Sequence, residues 1–562
     1  MPFSAALCAL NAKYVHSSLA PWCLLAGVKR YAPQLAARVR VVEGTVNEPE
    51  DGVLARILAA APDAVTFSCY LWNIEETLRL AARVKQARPG AAVVLGGPEV
   101  SYNAGEVLAA NPQVDYILAG EGEESVPALL RALAAGETPR DIPGLCTRAG
   151  LAPPCVLLGN VPSPYGPEYL AALGGRIAYL ETSRGCPFSC AFCLSGRCGK
   201  PRWFPLEEAF QNILTLANSG ARTIKFIDRT FNADAAHANA ILQFILAHYG
   251  REIPAGTRFH FELAGDILRE DTLDLLGRMP LGAVQLEIGM QSFCEKTLAA
   301  VRRKTDVGRL RQNIRRLVGF GSLHLHIDLI AGLPYEDLAT FAASFDTGYA
   351  LGADMLQLGF LKLLHGAAMR EEPQRFPCEF SSLPPYEVTR TPWLSEKDLA
   401  LLHRVEDALE RVYNSGRFRR TAAYLMRAGG LTPFAFYRSL GQAAAPLGAH
   451  HVPLDDYTAF LYGWGRALPG ADAALLRDAL VCDRLETNAT GRLPACLHVH
   501  DPALGRAVRA LAALYPPQPG VRRGVALLYG AKQAAFVDYT QKNPITNRYL
   551  LHTLGIDNLP PQ

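Results

Sequence analysis

The chain has 562 residues, too many for one ordinary core, so about three or four domains are expected. An apolar share of 49% with 19% charged residues excludes a disordered or fibrous protein, and a net charge of +3 carries no strong polyanion-binding signal. No run nears the ~18 apolar residues of a membrane span, and "MPFSAALCALNAKY" lacks a signal peptide's basic start, so a cytoplasmic chain with reduced cysteines is expected.

From Phe3 to about Leu133 short apolar runs alternate with amphipathic stretches. "FSAALCAL", "ARVRVVEG", "DAVTFSCY", "AAVVLGG" and "VDYILAG" read as strands, with a helix from about Ser18 to Tyr31 after the first. Strands and helices in alternation predict a doubly wound parallel α/β sheet, which binds ligands beyond the carboxyl ends of its strands. The loops there are "NAKYVHSS", "SCYLWN", "GGPEV" and "GEGEES". Turn and cap chemistry accounts for single glycines. Four loops rich in small residues and interleaved with Tyr14, Tyr70 and Trp72 point instead to close backbone approach to a large ligand.

A segment rich in proline and glycine follows, and the expected organisation is a domain over 1–140, a linker over 141–175, a second domain over 176–365 and a third over 366–562. In the second domain "RIAYLETS", "TIKFID", "RFHFELA", "AVQLEIG", "LHLHIDLI" and "MLQLGFL" read as strands. Six βα units predict a partial (β/α)6 barrel with its chemistry at the carboxyl ends of the strands. The last third is expected to be mostly helical α+β. "LSEKDLALLHRVEDALERVYNSG" carries a capping box of Ser395 and Asp398, a staple of Leu394 on Leu399, and a C-cap at Gly416. "TPFAFYRSL" and "DAALLRDALVCDRL" read as helices, "GVALLYG" and "AAFVDYT" as strands.

The first barrel strand runs into "RGCPFSCAFCLSG", which holds Cys186, Cys190 and Cys193. Thiolates select zinc, copper(I) or iron–sulfur clusters. Three thiolates on a four-iron cluster leave one iron open for a substrate or cofactor, the logic that separates catalytic from structural zinc sites. A zinc site completed by Cys198 or a distant histidine is the alternative; the CxxxCxxC spacing at a strand end fits a cluster better.

"CPFSCAFC" resembles the signature of radical S-adenosylmethionine (radical SAM) enzymes, and "LEIGMQS", "HIDLIAGLPYED" and "FHFELAGD" resemble other segments of that superfamily. "GGPEV" and "GEGEES" resemble the loops of the cobalamin-binding domain that precedes the barrel in one subclass. "KFIDRTFN" and "LNAKYVHSS" resemble a branch with an uncharacterised C-terminal domain. The resemblance implies a [4Fe-4S] cluster, S-adenosyl-L-methionine and cobalamin. The open iron would chelate S-adenosylmethionine, whose reductive cleavage gives a 5′-deoxyadenosyl radical, and cobalamin would carry a methyl group to an unactivated carbon.

The resemblance makes Cys186, Cys190 and Cys193 the cluster ligands. Phe192 packs on the adenine or is a core aromatic, and Glu262 accepts from ribose hydroxyls or forms a rim salt bridge. Asp228, Arg229 and Asn232 are placed to bind the methionine carboxylate or the substrate, Arg229 as a bidentate partner. Glu287, Gln291 and Ser292 are further S-adenosylmethionine candidates, and "IAGLP" with Ile330 and Gly332 lies near the adenine. For cobalamin the candidates are Asn11, Tyr14 and Ser17, then Ser68 and Tyr70, Gly96, Gly97 and Glu99, and Gly120 with Glu121. The loop around His16 lacks the DxHxxG sequence that presents a histidine to cobalt, so His16 is assigned a polar or cap role.

The leading function is a cobalamin-dependent radical SAM methyltransferase acting on a small metabolite or peptide, served by an external electron donor such as a flavodoxin or ferredoxin. Oxidation, cyclisation or rearrangement without methyl transfer is the alternative, and a non-catalytic corrinoid or redox sensor a third reading. A nucleic-acid modification enzyme is a fourth reading; against it, "RFRR" at 417–420 is the only dense basic cluster in the last domain, and a solvated helix end accounts for it. The sequence identifies neither the substrate nor the oligomeric state.

Overall fold

The computed structural model describes residues 3–448 and 452–555. Its first sheet contains β1 (Ala5–Asn11), β2 (Val39–Thr45), β3 (Ala64–Ser68), β4 (Ala92–Gly96), β5 (Tyr116–Leu118) and β6 (Leu145–Cys146), in the order β2-β1-β3-β4-β5-β6. The first five are parallel, as the alternation predicts, and β6 adds an antiparallel edge from the segment rich in proline and glycine. β1 and β3 are buried along their whole length because helices cover both faces of a parallel sheet; β2, at the edge, is buried only at Val39 and Gly44.

A second sheet contains β7 (Ala178–Leu180), β10 (Thr223–Phe226), β11 (Arg258–Leu263), β12 (Val284–Gln291), β13 (His324–Ala331) and β14 (Met355–Phe360). Their order, β14-β13-β12-β11-β10-β7, is the sequential one of successive βα units. Between β7 and β10 lies a small antiparallel pair, β8 (Ser183–Arg184) with β9 (Arg202–Trp203), which closes the base of the cysteine loop. β12 and β13 alternate strictly between buried and half-buried positions. The apolar residues Leu286, Ile288, Ile327 and Leu329 take the buried face, and polar residues such as Glu287 and Asp328 the other.

The chain folds as two compact units. One takes in the chain as far as Leu286 together with Ala299–Asp306 and Leu361–Pro392; it contains the whole first sheet, the cysteine loop, and β7, β10 and β11. It also holds a short antiparallel pair, β15 (Glu379–Phe380) with β16 (Val388–Arg390).

The other unit holds Glu287–Leu298, Val307–Phe360 and the chain from Trp393 onward. Its helix Glu396–Leu409 begins with the predicted box: Ser395 Oγ accepts from the Asp398 amide, and Asp398 accepts from the Ser395 amide. Leu394 and Leu399 are both buried, and Gly416 takes φ 70° just past the helical run. The predicted helices form at Pro433–Ala444 and Ala473–Thr487, and the predicted strands are β17 (Arg523–Leu528) and β18 (Gln533–Asp538). A third strand, β19 (Leu551–Gly555), pairs with β18; "LHTLG" has too little apolar alternation to announce it. Among the described residues no helix is long and apolar enough to cross a membrane.

Candidate active site

Within the first unit a cavity of about 630 Å³ opens at the carboxyl ends of β1, β3, β4 and β5. Its wall is completed by the cysteine loop through Gly185, Leu194, Ser195 and Arg197, and by Arg229 after β10. The volume lies within the ordinary range for ligand sites, and a doubly wound sheet holds its ligand at these strand ends.

Eight of the ten cobalamin candidates line this cavity: Asn11, Ser17, Ser68, Tyr70, Gly96, Gly97, Gly120 and Glu121. Gly97, at φ 102°, passes so close to the next loop that a Cβ would lie 2.5 Å from the Cys69 carbonyl oxygen. Gly120, at φ 87°, stands in the same relation to the Cys155 carbonyl, so both loops are built for bare backbone. Tyr70 stacks on Trp72 with centroids 4.5 Å apart and planes within 7°, giving the wall a flat aromatic face. Burial pushes the Tyr70 hydroxyl up to about 12, while the nearby Arg229 charge pulls it down. The cavity lining does not include Tyr14 or Glu99. Tyr14 is 83% exposed, and buried Glu99 accepts from the Tyr386 hydroxyl at 2.6 Å.

His16 lines the cavity, and its Nδ1 meets the Tyr179 hydroxyl at 2.6 Å. Burial, then the charges of Lys13 and Lys225, hold its imidazole below the usual histidine range. Glu121 has its carboxylate occupied: Arg202 and the Leu157 amide donate to it, and Arg184 lies at 3.4 Å. Burial pushes its carboxyl up, but the Arg202 bonds and the Arg184 charge win and leave it below the ordinary value. Arg184 also binds Glu123 at 2.6 Å and Glu181 at 2.8 Å, so a cation ahead of the cysteine loop ties together acids that follow β5 and β7.

The three cysteine side chains are half-buried, and all are free thiols. Burial pushes the Cys190 thiol up; the Arg303 charge pulls it down, and Cys193 and Cys186 raise it again, so the three sulfurs feel one another. The Cys193 amide bonds the Cys190 carbonyl at 3.1 Å, which sets the last two thiols on one tight turn. Phe192 sits half-buried within that turn. A half-buried thiol triad on a loop closed at its base has the donor chemistry and the open side that an iron–sulfur cluster requires. The side chain of Cys198, named above as a fourth zinc ligand, lies outside the described residues.

Behind the loop, residues expected to meet a ligand are engaged inside the fold. Asp228 is buried; its carboxylate accepts from the Thr182 amide at 3.2 Å, the Thr182 hydroxyl at 2.8 Å and the Ser183 hydroxyl. Burial pushes its carboxyl up to about 6 against those bonds. The Asn232 side chain donates to the Ala264 carbonyl at 2.8 Å and accepts from the Ala264 amide at 2.9 Å, clamping the turn after β10 to the end of β11. Glu262 pairs with Lys225 at 3.4 Å, the rim salt bridge weighed above. Arg229 is exposed at the cavity wall.

Glu287, Gln291, Ser292, Ile330 and Gly332 lie in the second unit. Ser292 is buried and donates to Glu336 at 2.6 Å; Ser344 donates to the same carboxylate oxygen at 3.1 Å. Burial pushes the Glu336 carboxyl up to about 7, a perturbation that the "LPYED" stretch alone gave no reason to expect. Gln291 holds φ 69° and Gly332 φ 96°, while Ile330 is half-buried on β13. Cavity residues that sequence reasoning passed over include Cys23, Tyr102, Glu123, Arg184 and Arg197. Arg184 and Glu123 stood inside quoted motifs, and only their ion pair marks them.

Residues 11–130 match the B12 binding domain, residues 180–347 the radical SAM superfamily, and residues 374–511 a domain of unknown function, DUF4080. The chain is 26% identical over 437 residues to the 2-(S-pantetheinyl)-carbapenam-3-carboxylate methyltransferase of Streptantibioticus cattleyicolor, a match covering 68% of this chain and 61% of the relative. It is 28% identical to the cobalamin-dependent radical SAM methyltransferase TokK of Streptomyces tokunonensis, over 53% of this chain and 45% of that one. The chain thus spans less than two thirds of the length of these curated relatives. Among solved structures it resembles the cobalamin-dependent S-adenosylmethionine radical enzyme OxsB with aqua-cobalamin bound: TM-score 0.59, 13% identity, 86% of this chain and 79% of that one. That likeness is one of fold.

Proposed function

We propose that this chain, in which a B12 binding domain precedes a radical SAM domain and a DUF4080 segment, is a methyltransferase that acts on an unactivated carbon of a small molecule or peptide. The observation that carries the proposal is the shared cavity: glycine-bare loops and the Tyr70–Trp72 face form one side, and the cysteine loop forms part of the other. On this reading residues 1–140 hold cobalamin, 176–365 hold a [4Fe-4S] cluster and S-adenosyl-L-methionine, and 141–175 link the two. Bound together, these groups supply reductive cleavage of S-adenosylmethionine and a methyl carrier.

The chain's own residues bind, orient and exclude water. Cys186, Cys190 and Cys193 hold the cluster, with Asp228 bracing Thr182 and Ser183 ahead of the loop. Asn11, Ser17, Ser68, Tyr70, Gly96, Gly97 and Gly120 receive the corrinoid. Phe192, Arg229 and Glu262 receive S-adenosylmethionine, Lys225 fixing the Glu262 carboxylate. An external one-electron donor such as a flavodoxin or ferredoxin supplies reducing equivalents, and the cytoplasm keeps the thiols reduced.

The test is anaerobic reconstitution with iron, sulfide and cobalamin, followed by reductant and S-adenosylmethionine. Methyl transfer predicts both 5′-deoxyadenosine and S-adenosylhomocysteine. 5′-Deoxyadenosine alone would replace methylation with oxidation, cyclisation or rearrangement. Neither product from a protein with its full iron content would sink the catalytic reading.

A further inference from the structure

Among the described residues each thiol of the cysteine loop meets a polar neighbour, and one of those neighbours is charged. Thr230 Oγ1 lies 3.4 Å from Cys186 Sγ, and the Ser195 amide lies 3.4 Å from Cys193 Sγ. The third approach comes from 113 residues further along the chain, where Arg303 Nη1 stands 3.8 Å from Cys190 Sγ.

The segment that delivers Arg303 is fastened to the loop at several points. The Ala191 amide donates to the Val301 carbonyl at 2.9 Å, so loop and turn are joined by backbone. Arg302 takes a left-handed φ of 58°, a conformation that a side-chain-bearing residue keeps only where its surroundings impose it. The Arg302 guanidinium binds Glu372 at 2.5 Å, while the next residue reaches Cys190. On the other flank the Met369 amide donates to the Ala191 carbonyl at 2.9 Å, and Arg197 of the loop pairs with Glu371 at 2.7 Å. Residues 369–372 therefore grip the loop and the Arg303 turn together.

We infer that Arg303 is a positioning residue that sets the reduction potential of the cluster held by Cys186, Cys190 and Cys193, by fixing a positive charge against the Cys190 sulfur. This rests on the reading that the loop holds an iron–sulfur cluster. One electron from an external one-electron donor, dithionite in the test below, makes the cluster one charge unit more negative. No bond forms or breaks and no proton moves. A fixed cation attracts the more negative state more strongly, so it favours the reduced form and raises the potential. Half-buried surroundings screen that attraction less than bulk water would. The Ser195 amide and the Thr230 hydroxyl, which donates its proton to the Arg229 carbonyl at 2.8 Å, are neutral, so their effect on the two charge states differs less.

The test is a redox titration of the full-length protein, reconstituted anaerobically, monitored by the absorbance and electron spin resonance of the cluster. Arg303→Met and Arg303→Gln are expected to lower the reduced-to-oxidised ratio at a fixed potential by about tenfold, a midpoint about 59 mV more negative for a one-electron couple. Arg303→Lys, which keeps the charge, should retain most of the wild-type midpoint, and Thr230→Val should shift it less than Arg303→Met. Full iron content with a wild-type midpoint in Arg303→Met would overturn the inference. If Arg303→Met takes up no iron, the Gln and Lys variants decide, and equal midpoints for that pair overturn it. A wild-type protein that takes up no cluster fails the underlying reading, and the inference falls with it.

Discussion

Asp228 offers the sharpest test of how the cysteine loop is supported. Its carboxylate is 1% exposed and receives three hydrogen bonds, from the Thr182 amide, the Thr182 hydroxyl and the Ser183 hydroxyl. Burial nevertheless lifts its carboxyl from 3.8 to about 6. At 1.36 kcal/mol per unit, ionising it inside the fold costs about 3 kcal/mol above pH 7. The folded value lies above the unfolded one, so the stability the protonated carboxyl contributes is fully present below about pH 4 and is lost as pH rises through about 6, where the ionisation cost takes its place. An asparagine turned with its oxygen to the Thr182 amide can donate to both hydroxyls, because a hydroxyl accepts as well as donates. Asp228→Asn should therefore remove the desolvated charge without orphaning a neighbour. Asp228→Ala leaves the Thr182 amide and the Ser183 hydroxyl without this acceptor, at about 1–3 kcal/mol each, while the Thr182 hydroxyl keeps His237 Nε2 at 3.3 Å. The assay is the urea midpoint of wild type and both variants at pH 5 and pH 8. Between these the wild type should lose about 1.4 kcal/mol relative to Asp228→Asn, and Asp228→Ala should be the least stable at both. Parallel behaviour of wild type and Asp228→Asn, or an asparagine as damaging as alanine, would refute the desolvation argument.

Three further outcomes are expected. Gly120→Ala places a Cβ against the Cys155 carbonyl at φ 87°; the backbone strain alone is about 1–2 kcal/mol, and urea unfolding should show at least that loss of stability. Trp72→Ala removes one ring of the stack on Tyr70, worth about 0.5–1.5 kcal/mol, and should weaken cobalamin binding about two- to tenfold in an absorbance titration; unchanged affinity would remove the ring pair from the site. Ser395→Ala deletes the capping box of helix Glu396–Leu409 and should lower stability by about 1 kcal/mol in urea, with Ser395→Asp restoring most of it.

Local rules carried much of the architecture. A strand buried on both faces must be apolar throughout, so β1, β3 and β4 were visible as runs; the capping box at Ser395 obeys a four-residue rule. The cysteine spacing was equally legible, because one loop carries all three thiols. Gly97 and Gly120 read as room for a ligand, whereas the crowding that excludes a Cβ at each comes from the protein's own Cys69 and Cys155 carbonyls. Partner choice was not written there. Asp228, Asn232, Glu99 and Glu121 looked like ligand-facing polar residues, yet each takes a partner within the protein: Thr182 and Ser183, Ala264, Tyr386, and Arg202. A polar side chain satisfies whatever the fold packs opposite it, and Tyr386 is 287 residues from Glu99. Arg303 shows the same limit from the other side. Nothing in "VRRKTD" distinguishes it from its neighbours, and only the left-handed turn at Arg302 brings its charge to Cys190. The sequence determined that three thiols share one loop; the tertiary structure decided which charges surround them, since charge acts through space rather than along the chain.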